Sequence, residues 1–256
     1  MTQRTIDRIT AAGDHKFKNE PLQTFYICRV NEQNIFEQGK MILIDKPFEW
    51  TSFDVVRKIR YLAKTKKVGH AGTLDPLATG LLIVCTGKFT KKINEYMAKE
   101  KEYTGSITLG ATTPTYDLES EPGDFKPTDT ITAEQIKEAT KFFIGTIQQT
   151  PPIHSAIKKD GKRAYELARK GIDVKLEART VTISAFEITS IELPKVYFKV
   201  VCSSGTYIRS LANDFGEKLG CGGYLSGLCR TRIGEFLLSD AQSMEEFQTT
   251  IEKSKP

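Results

Sequence analysis

The chain has 256 residues, of which 39% are hydrophobic and 27% are charged, and its formal net charge is +5. This composition is typical of a globular protein with a sizeable core, and the basic excess is compatible with a polyanionic partner. No apolar run approaches the length of a membrane span, and the polar N-terminus lacks the apolar core of a signal peptide, so we expect no membrane association and a cytoplasmic location.

Cysteine and histidine usage argues against a metal site or a disulfide framework. The five cysteines are odd in number and form no C-x-x-C pair, so neither a zinc site nor a disulfide framework is expected. The three histidines are spread along the chain: His15, His70 and His154. No phosphate-binding glycine motif of the dinucleotide or P-loop type is present, so we expect neither a nucleotide cofactor nor a metal.

The first part of the chain predicts an extension followed by a strand and a capped helix. Residues 1–38 are polar and poorly periodic, and we assign them to an N-terminal extension preceding one domain over residues 39–256. Residues 41–44 predict a short strand. Thr51 and Asp54 predict a capping box for the next helix. Its apolar residues share one face at helical spacing: Val55, Val56, Ile59, Leu62 and Ala63.

The segment 69–82 is the most distinctive stretch of the sequence. Its three glycines indicate an irregular loop with tight turns: Gly69, Gly72 and Gly80. Pro76 favours an extended conformation at Asp75, and an apolar run over residues 81–85 predicts a buried strand. The loop therefore presents one carboxylate, five residues after His70, on an apolar scaffold where catalytic groups often lie. Taken alone, an aspartate before proline is more often a turn former.

Basic residues are concentrated on both sides of this loop. Arginines and lysines crowd residues 57–67 and 88–92, and a third cluster covers residues 158–170. A run of charge usually forms a solvated face. Two clusters that flank the candidate loop favour contacts with phosphate groups instead.

The remaining predicted elements include both strands and helices. Strands are predicted from apolar and β-branched content at 102–109, 175–191, 196–202 and 233–238. Helices are predicted at 89–97, 132–143, 161–171, 206–219 and 244–251. Thr132 and Gln135 predict a second capping box, with a hydrophobic staple between Ile131 and Ile136. Loops are predicted at 111–128 and 148–156.

Three separated motifs resemble the TruB family of pseudouridine synthases. G-H-x-G-x-L-D-P-x-A-x-G is met over residues 69–80, G-T-Y-I-R over residues 205–209, and a longer pattern beginning P-P-x-x-S-A-x-K over residues 151–171. The resemblance spans about residues 41–240. It implies an α+β fold of the pseudouridine synthase type, with a mixed, mainly antiparallel sheet flanked by helices. It also implies isomerisation of uridine 55 in the tRNA T loop without cofactor or metal.

The resemblance also assigns roles to individual residues. Asp75 corresponds to the catalytic carboxylate, which either attacks the sugar or withdraws a sugar proton. Arg209 corresponds to its charge partner, which would keep it ionised. The resemblance also implies four substrate contacts. His70 contacts the RNA near the position that the flipped base vacates, Tyr103 stacks on the base, and Tyr207 and Leu228 contact the uracil.

Other interpretations of these residues stay open on residue type alone. Tyr103 would more often be a strand core residue, and Tyr207 and Leu228 would more often be packing residues. Arg209 could be a surface helix residue. In the family a Lys-Pro pair lies near the active-site loop, whereas Lys46 before Pro47 could equally be a solvated lysine in a turn.

The same resemblance implies the partners of the protein and leaves two rival functions. We expect a monomer that binds the T stem-loop of tRNA, and the short sequence after the last predicted strand leaves no room for a C-terminal PUA-type module. One rival is an RNA-binding or tRNA-folding module without chemistry, which the pair Asp75 and Arg209 argues against. The other is a hydrolytic glycosidase, which usually needs two carboxylates where this loop has one.

Overall fold

The computed structural model describes residues 34–155, 158–159, 162–163 and 176–253. Residues 33–256 are assigned to one compact unit. Most of the extension lies outside the described residues. The predicted helix over residues 161–171 also lies outside them except at Lys162 and Arg163, which form a strand instead. Of the third basic cluster, Lys158, Lys159, Lys162 and Arg163 are described, while Arg169 and Lys170 are not.

The helices and strands follow most of the predicted order. The helices are α1 (Ile35–Gln38), α2 (Ser52–Leu62), α3 (Ile93–Ala98), α4 (Ala133–Thr140), α5 (Ile208–Lys218) and α6 (Met244–Lys253). The strands of the main sheet are β1 (Met41–Lys46), β2 (Val68–His70), β3 (Ala78–Thr86), β4 (Lys101–Leu109), β5 (Gly145–Gln149), β8 (Arg179–Glu192), β9 (Lys195–Cys202), β10 (Gly223–Ile233) and β11 (Phe236–Leu237). A separate two-stranded sheet pairs β6 (Lys158–Lys159) antiparallel with β7 (Lys162–Arg163). Short 3₁₀ helices cover Gly87–Lys92, Lys141–Phe143 and Leu238–Asp240.

The main sheet is mixed and mostly antiparallel, which confirms the predicted fold class. Its strand order is β1-β3-β10-β4-β9-β8-β5, with β2 added to β3 and β11 added to β10. Among the described strands, only the β3–β10 pair is parallel. The β2–β3 connection, which carries the distinctive loop, therefore lies beside the centre of the sheet.

Strand β10 is the central element that sequence analysis missed. It lies between β3 and β4, where Leu228 pairs with Ala78 and Gly105, and Arg230 pairs with Gly80 and Tyr103. The strand contains several glycine, serine and arginine residues and shows no regular apolar alternation, so the sequence pattern does not predict it. Hydrogen bonding to a neighbouring strand on each side fixes its position instead.

Two other predictions at strand ends were wrong. The predicted strand over residues 233–238 is instead the end of β10, a turn at Gly234 with φ of +54°, and the two-residue strand β11. The predicted loop over residues 148–156 begins too early, because residues 145–149 form β5 on the edge of the sheet beside β8. An edge strand with alternating exposure gives a weak apolar signal.

Strand β3 has apolar packing on both faces. Leu82 and Val84 pack with residues of β1, α2 and α6, while Leu81 and Ile83 belong to a second cluster that includes Ile233. A strand that is buried on both faces has a continuous apolar sequence. This is why residues 81–85 were recognisable, and it makes β3 a rigid support for the loop that precedes it.

The two predicted capping boxes are confirmed. Capping boxes are present at Thr51 with Asp54 and at Thr132 with Gln135. The predicted helix over residues 89–97 is a 3₁₀ segment followed by α3, and the predicted helix over residues 132–143 ends in a 3₁₀ turn after Thr140.

The last residues of the predicted extension contact the rest of the described chain. Nδ2 of Asn34 donates to the carbonyl of Ala63 at 2.8 Å. A Cβ at Gly87 would lie 2.2 Å from the carbonyl oxygen of Glu37, so only glycine permits this approach of α1. The boundary between residues 38 and 39 stays a prediction, while residues 34–38 pack as part of the compact unit.

Candidate active site

Side chains from β1 and α2 hold the loop that carries Asp75. Oγ of Ser52 accepts from the amide of Leu74 at 2.9 Å and donates to the carbonyl of the same residue at 3.1 Å. Nζ of Lys46 donates to the carbonyl of Pro76 at 3.2 Å. The backbone on both sides of Asp75 is therefore fixed by buried hydrogen bonds, which limits the positions its carboxylate can take.

Lys46 is a buried structural cation. It is fully buried and also donates to the carbonyls of Pro47 and Trp50. Burial lowers its pKa to about 8, although the nearby Asp75 carboxylate opposes this. The interpretation of Lys46 as a solvated lysine in a turn was wrong, because its side chain is buried against the loop that carries Asp75.

Asp75 forms a two-contact ion pair with Arg209. Nη2 of Arg209 donates to Oδ1 of Asp75 at 3.3 Å, and Nε lies 3.0 Å from Oδ2. The Arg209 side chain is 6% exposed while that of Asp75 is 37% exposed, so the arginine is enclosed and the carboxylate stays open. The surface-helix interpretation of Arg209 was wrong. A planar guanidinium that meets both carboxylate oxygens fixes the orientation as well as the charge.

Asp117 is a second carboxylate at the same guanidinium. Its Oδ2 lies 3.6 Å from Nε of Arg209, and its side chain is buried. Arg209 also donates to the carbonyls of Thr115 and His154 at 3.4 and 3.0 Å. Asp117 was not singled out from the sequence, because the loop over residues 111–128 shows no periodic signal that would predict its contact with α5.

The electrostatic environment raises the pKa of Asp75. Burial of the carboxyl is the main cause, and the negative charge of Asp117 acts in the same direction. Arg209 and Lys46 oppose this shift. The carboxyl faces a cavity lined by protein atoms, so its partial exposure does not give it full solvation. Arg209 is therefore the main group that favours the ionised form.

A cavity of about 910 Å³ opens beside Asp75. Five of the six predicted site residues line it: Asp75, Tyr103, Tyr207, Arg209 and Leu228. His70 is the exception, since it lies at the end of β2 and is not among the lining residues. Nδ1 of His70 is buried without a hydrogen-bond partner in the described part of the chain, and burial lowers the pKa of this imidazole.

Tyr103 lies next to a buried arginine that sequence reasoning did not single out. Arg230 is 1% exposed and pairs with Tyr103 across β4 and β10. Its Nε donates to the carbonyl of Leu81 at 2.7 Å and its Nη2 to the carbonyl of Gly72 at 3.1 Å. Arg230 therefore connects the Asp75 loop, β3 and the wall formed by Tyr103. The sequence signal for it was its position two residues after Leu228, which the family resemblance had singled out.

The backbone of Tyr207 is held by a glutamine from the edge strand. Oε1 of Gln149 accepts from the amide of Tyr207 at 2.8 Å, and Nε2 donates to its carbonyl at 3.0 Å. Gln149 is fully buried. This pair fixes the turn before α5, and with it the position of Arg209 two residues later.

Within the described residues, no three His, Cys, Asp or Glu side chains lie close enough together to hold a metal ion. No described helix has both the length and the apolar character of a membrane span. The expectations of no metal and no cofactor stay predictions.

Comparison with known proteins gives two family models that together cover most of the chain. Residues 60–208 match the TruB family pseudouridylate synthase N-terminal domain, and residues 209–255 match the tRNA pseudouridylate synthase B C-terminal domain. The junction lies inside α5, and β10 of the second match is central in the sheet. The two matched regions therefore share one structural unit.

Similar proteins include tRNA pseudouridine synthase B of Phocaeicola vulgatus, 52% identical over 226 residues, covering 86% of this chain and 96% of the relative. The protein of the same name from Flavobacterium johnsoniae is 52% identical over 222 residues, covering 84% and 97%. Among solved structures, a chain in a crystal structure of a Cbf5-Nop10-Gar1 complex matches with a TM-score of 0.64 and 30% identity. That match covers 84% of this chain and 54% of the other.

Proposed function

The chain belongs to the TruB family of pseudouridylate synthases, and from this membership we propose that it isomerises uridine 55 in the T loop of tRNA to pseudouridine. The reaction breaks the bond between ribose C1′ and base N1, turns the base, and joins C1′ to C5. The observation that carries the proposal is the Asp75 carboxylate, held by Arg209 beside a cavity of about 910 Å³. That volume is in the range of ligand-binding cavities.

Asp75 is the proposed catalytic carboxylate. A carboxylate can attack C1′ as the base departs, or withdraw a ribose proton, and both roles require the ionised form. Removal from bulk water disfavours ionisation, whereas the Arg209 guanidinium favours it. Arg209 also leaves the carboxylate open to the cavity, since it approaches through two of its nitrogens from the protein side. This arrangement supports a nucleophile that is charged, oriented and accessible.

The uracil is proposed to bind between Tyr103, Tyr207 and Leu228. These side chains reach the same cavity from β4, the start of α5, and β10. A base that leaves the RNA stack loses stacking energy, and an aromatic face in the pocket can restore part of it. Tyr103 is 8% exposed, so it would offer a fixed ring face with little loss of side-chain freedom. His70, which does not line the cavity, is proposed to contact the RNA near the position that the flipped uridine vacates.

The proposed partner is the T stem-loop of tRNA. The amide of Gly87 donates to the carbonyl of Lys67 at 2.8 Å, which brings the two basic segments flanking the loop together. Their exposed lysines are Lys64, Lys66, Lys67, Lys88, Lys91 and Lys92. The 3₁₀ segment with Lys91 and Lys92 leads directly into α3, whose Asn94 and Met97 line the cavity. A basic face that continues to the cavity mouth supports binding of the phosphate backbone. Action as a monomer in the cytoplasm is part of the proposal and rests on the sequence.

The test is incubation of the purified full chain with a tRNA carrying uridine tritiated at C5, followed by mapping of pseudouridine. We expect the amount of tritium released to match the amount of RNA modified. We also expect pseudouridine at one position, uridine 55. Tight RNA binding without tritium release would favour the rival RNA-binding module. Release of free uracil would favour the rival hydrolytic glycosidase. Modification at a different uridine would contradict the assigned site.

A further inference from the structure

Arg179 lines the cavity and has no part in the proposed reaction described above. It is the first residue of β8, and its guanidinium carbon lies 4.4 Å from the ring centroid of Tyr207. A Cβ built on Gly205 would lie 3.7 Å from Nη1. The guanidinium is therefore placed against the Tyr207 ring and beside the loop that begins α5. Stacking on an aromatic ring uses the flat face of a guanidinium and leaves its edge of N–H donors free.

The other cations that line the cavity are already satisfied by the protein. Lys101 donates to the carbonyls of Met97 and Lys99. Arg209 is paired with two carboxylates, and Arg230 donates to two carbonyls.

Arg179 differs from these three. Within the described part of the chain its guanidinium makes no hydrogen bond and no ion pair. Its Nε is buried without a hydrogen-bond partner, as is Nε of Arg209, but the latter lies 3.0 Å from Oδ2 of Asp75. A buried N–H without an acceptor is unfavourable, so the free protein leaves a donor that an incoming acceptor would satisfy.

We infer that Arg179 binds a phosphodiester group of the RNA next to the flipped uridine. The inference rests on the proposed function and adds an anion site to it. A guanidinium presents two parallel N–H donors that match two phosphate oxygens, and the Tyr207 ring holds the plane of that fork. Ser203 and Ser204, which carry hydroxyl groups and directly precede Gly205 in sequence, also line the cavity. Tyr207 would thereby connect the phosphate position with the uracil position.

The test combines protein variants with RNA in which single phosphates are made neutral. A hairpin with the T stem-loop sequence is prepared with one methylphosphonate at each linkage flanking the target uridine. For the wild-type full chain, neutralising one linkage should weaken binding about tenfold. Arg179→Gln should show that same loss on unmodified RNA and no further loss when that linkage is neutral.

Salt dependence gives a second readout. The slope of log affinity against log salt should become shallower by about 0.7–0.9 in Arg179→Gln, as expected for one lost phosphate contact. Arg179→Lys keeps the charge and should keep most of the slope. Lys195→Gln, which removes an exposed charge at the β8–β9 turn, is the matched control and should keep wild-type sensitivity at that linkage.

The result that would overturn the inference is Arg179→Gln with unchanged affinity, salt slope and sensitivity to every methylphosphonate. A lower kcat with those three quantities unchanged would also overturn it, because Arg179 would then only support the Tyr207 ring. Pseudouridine formation by the wild-type chain on the unmodified hairpin is measured alongside. Its absence would contradict the proposed function, whereas its presence without coupling at any linkage would contradict this inference alone.

Discussion

Asp117 contacts the same guanidinium nitrogen of Arg209 that faces Asp75. Nε of Arg209 lies 3.0 Å from Oδ2 of Asp75 and 3.6 Å from Oδ2 of Asp117. Both Asp117 and Arg209 are buried, while Asp75 is open to the cavity. One cation therefore compensates two carboxylates, and the charge on the buried one influences the ionisation of the exposed one.

The first prediction is that Asp117→Asn lowers the pKa of Asp75. Asp117 contributes to raising that pKa, so removing its charge makes the Asp75 carboxylate easier to form. The acid limb of the pH profile of kcat/KM should move to lower pH. Profiles of wild type, Asp117→Asn and the exposed control Asp240→Asn measure this. An acid limb that stays in place or moves to higher pH would contradict the electrostatic coupling.

The second prediction concerns Arg209→Lys. Lysine keeps one positive charge but has no planar fork, so it cannot hold both oxygens of Asp75 and also reach Asp117. We expect kcat/KM to fall about tenfold to a hundredfold, the range for losing a hydrogen bond to a charged group. Steady-state kinetics on the T stem-loop measure the change. Activity within a factor of two of wild type would show that charge alone is sufficient.

The third prediction is that Lys46→Met destabilises the fold. The substitution keeps most of the length of the side chain but removes the donor to three part-buried carbonyls. Leaving a fully buried acceptor unsatisfied costs about 1–3 kcal/mol, which is the upper limit for each of them. Urea unfolding should therefore show a lower free energy of unfolding for Lys46→Met. The exposed Lys64→Met is the matched control and should unfold like wild type.

The same pair of variants also tests the pKa of Lys46. Because this pKa is lowered from 10.5 to about 8 in the folded state, the unfolded chain binds more protons between those pH values. The Lys46 contribution therefore becomes more favourable as pH rises from about 8 to 10.5. The difference in free energy of unfolding between wild type and Lys46→Met should grow across that window. A difference that shrinks with rising pH would show that the lysine is not buried as described.

The fourth prediction separates the ring of Tyr103 from its hydroxyl. Tyr103→Phe keeps the ring face that stacks on the base and should retain most of the activity. Tyr103→Ala removes it, and stacking is worth about 1–3 kcal/mol per base, so kcat/KM should fall about tenfold or more. Equal impairment of both variants would assign the role to the hydroxyl. No effect in either would leave Tyr103 as a core residue of β4.

Much of the fold was readable from local patterns, and the contacts between distant segments were not. The capping box at Thr51 and the apolar run of β3 depend on neighbours in sequence, so the sequence predicted them. Strand β10 carries small and polar residues whose position is set by strands on both sides, so it lacks a period of its own.

The candidate site divides in the same way. The residues Asp75, Tyr103 and Arg209 were identified by resemblance, and the structure places all three at one cavity. Asp117 contacts Arg209 in α5, and Gln149 contacts the turn before that helix. Both contacts join residues that are far apart in sequence, so no local motif predicts them. Lys46 was ambiguous because a turn lysine is buried only when a second loop covers it.

The most direct measurement of the central claim is tritium release from C5-labelled uridine in the T stem-loop by Asp75→Asn. Asparagine keeps the size of the side chain but cannot act as a nucleophile or base, whereas phosphate contacts supply much of the affinity for RNA. The account predicts no release above a mock-purified control, with RNA binding within a few-fold of wild type and full activity in Asp240→Asn. Release above the control by Asp75→Asn would contradict Asp75 as the catalytic carboxylate.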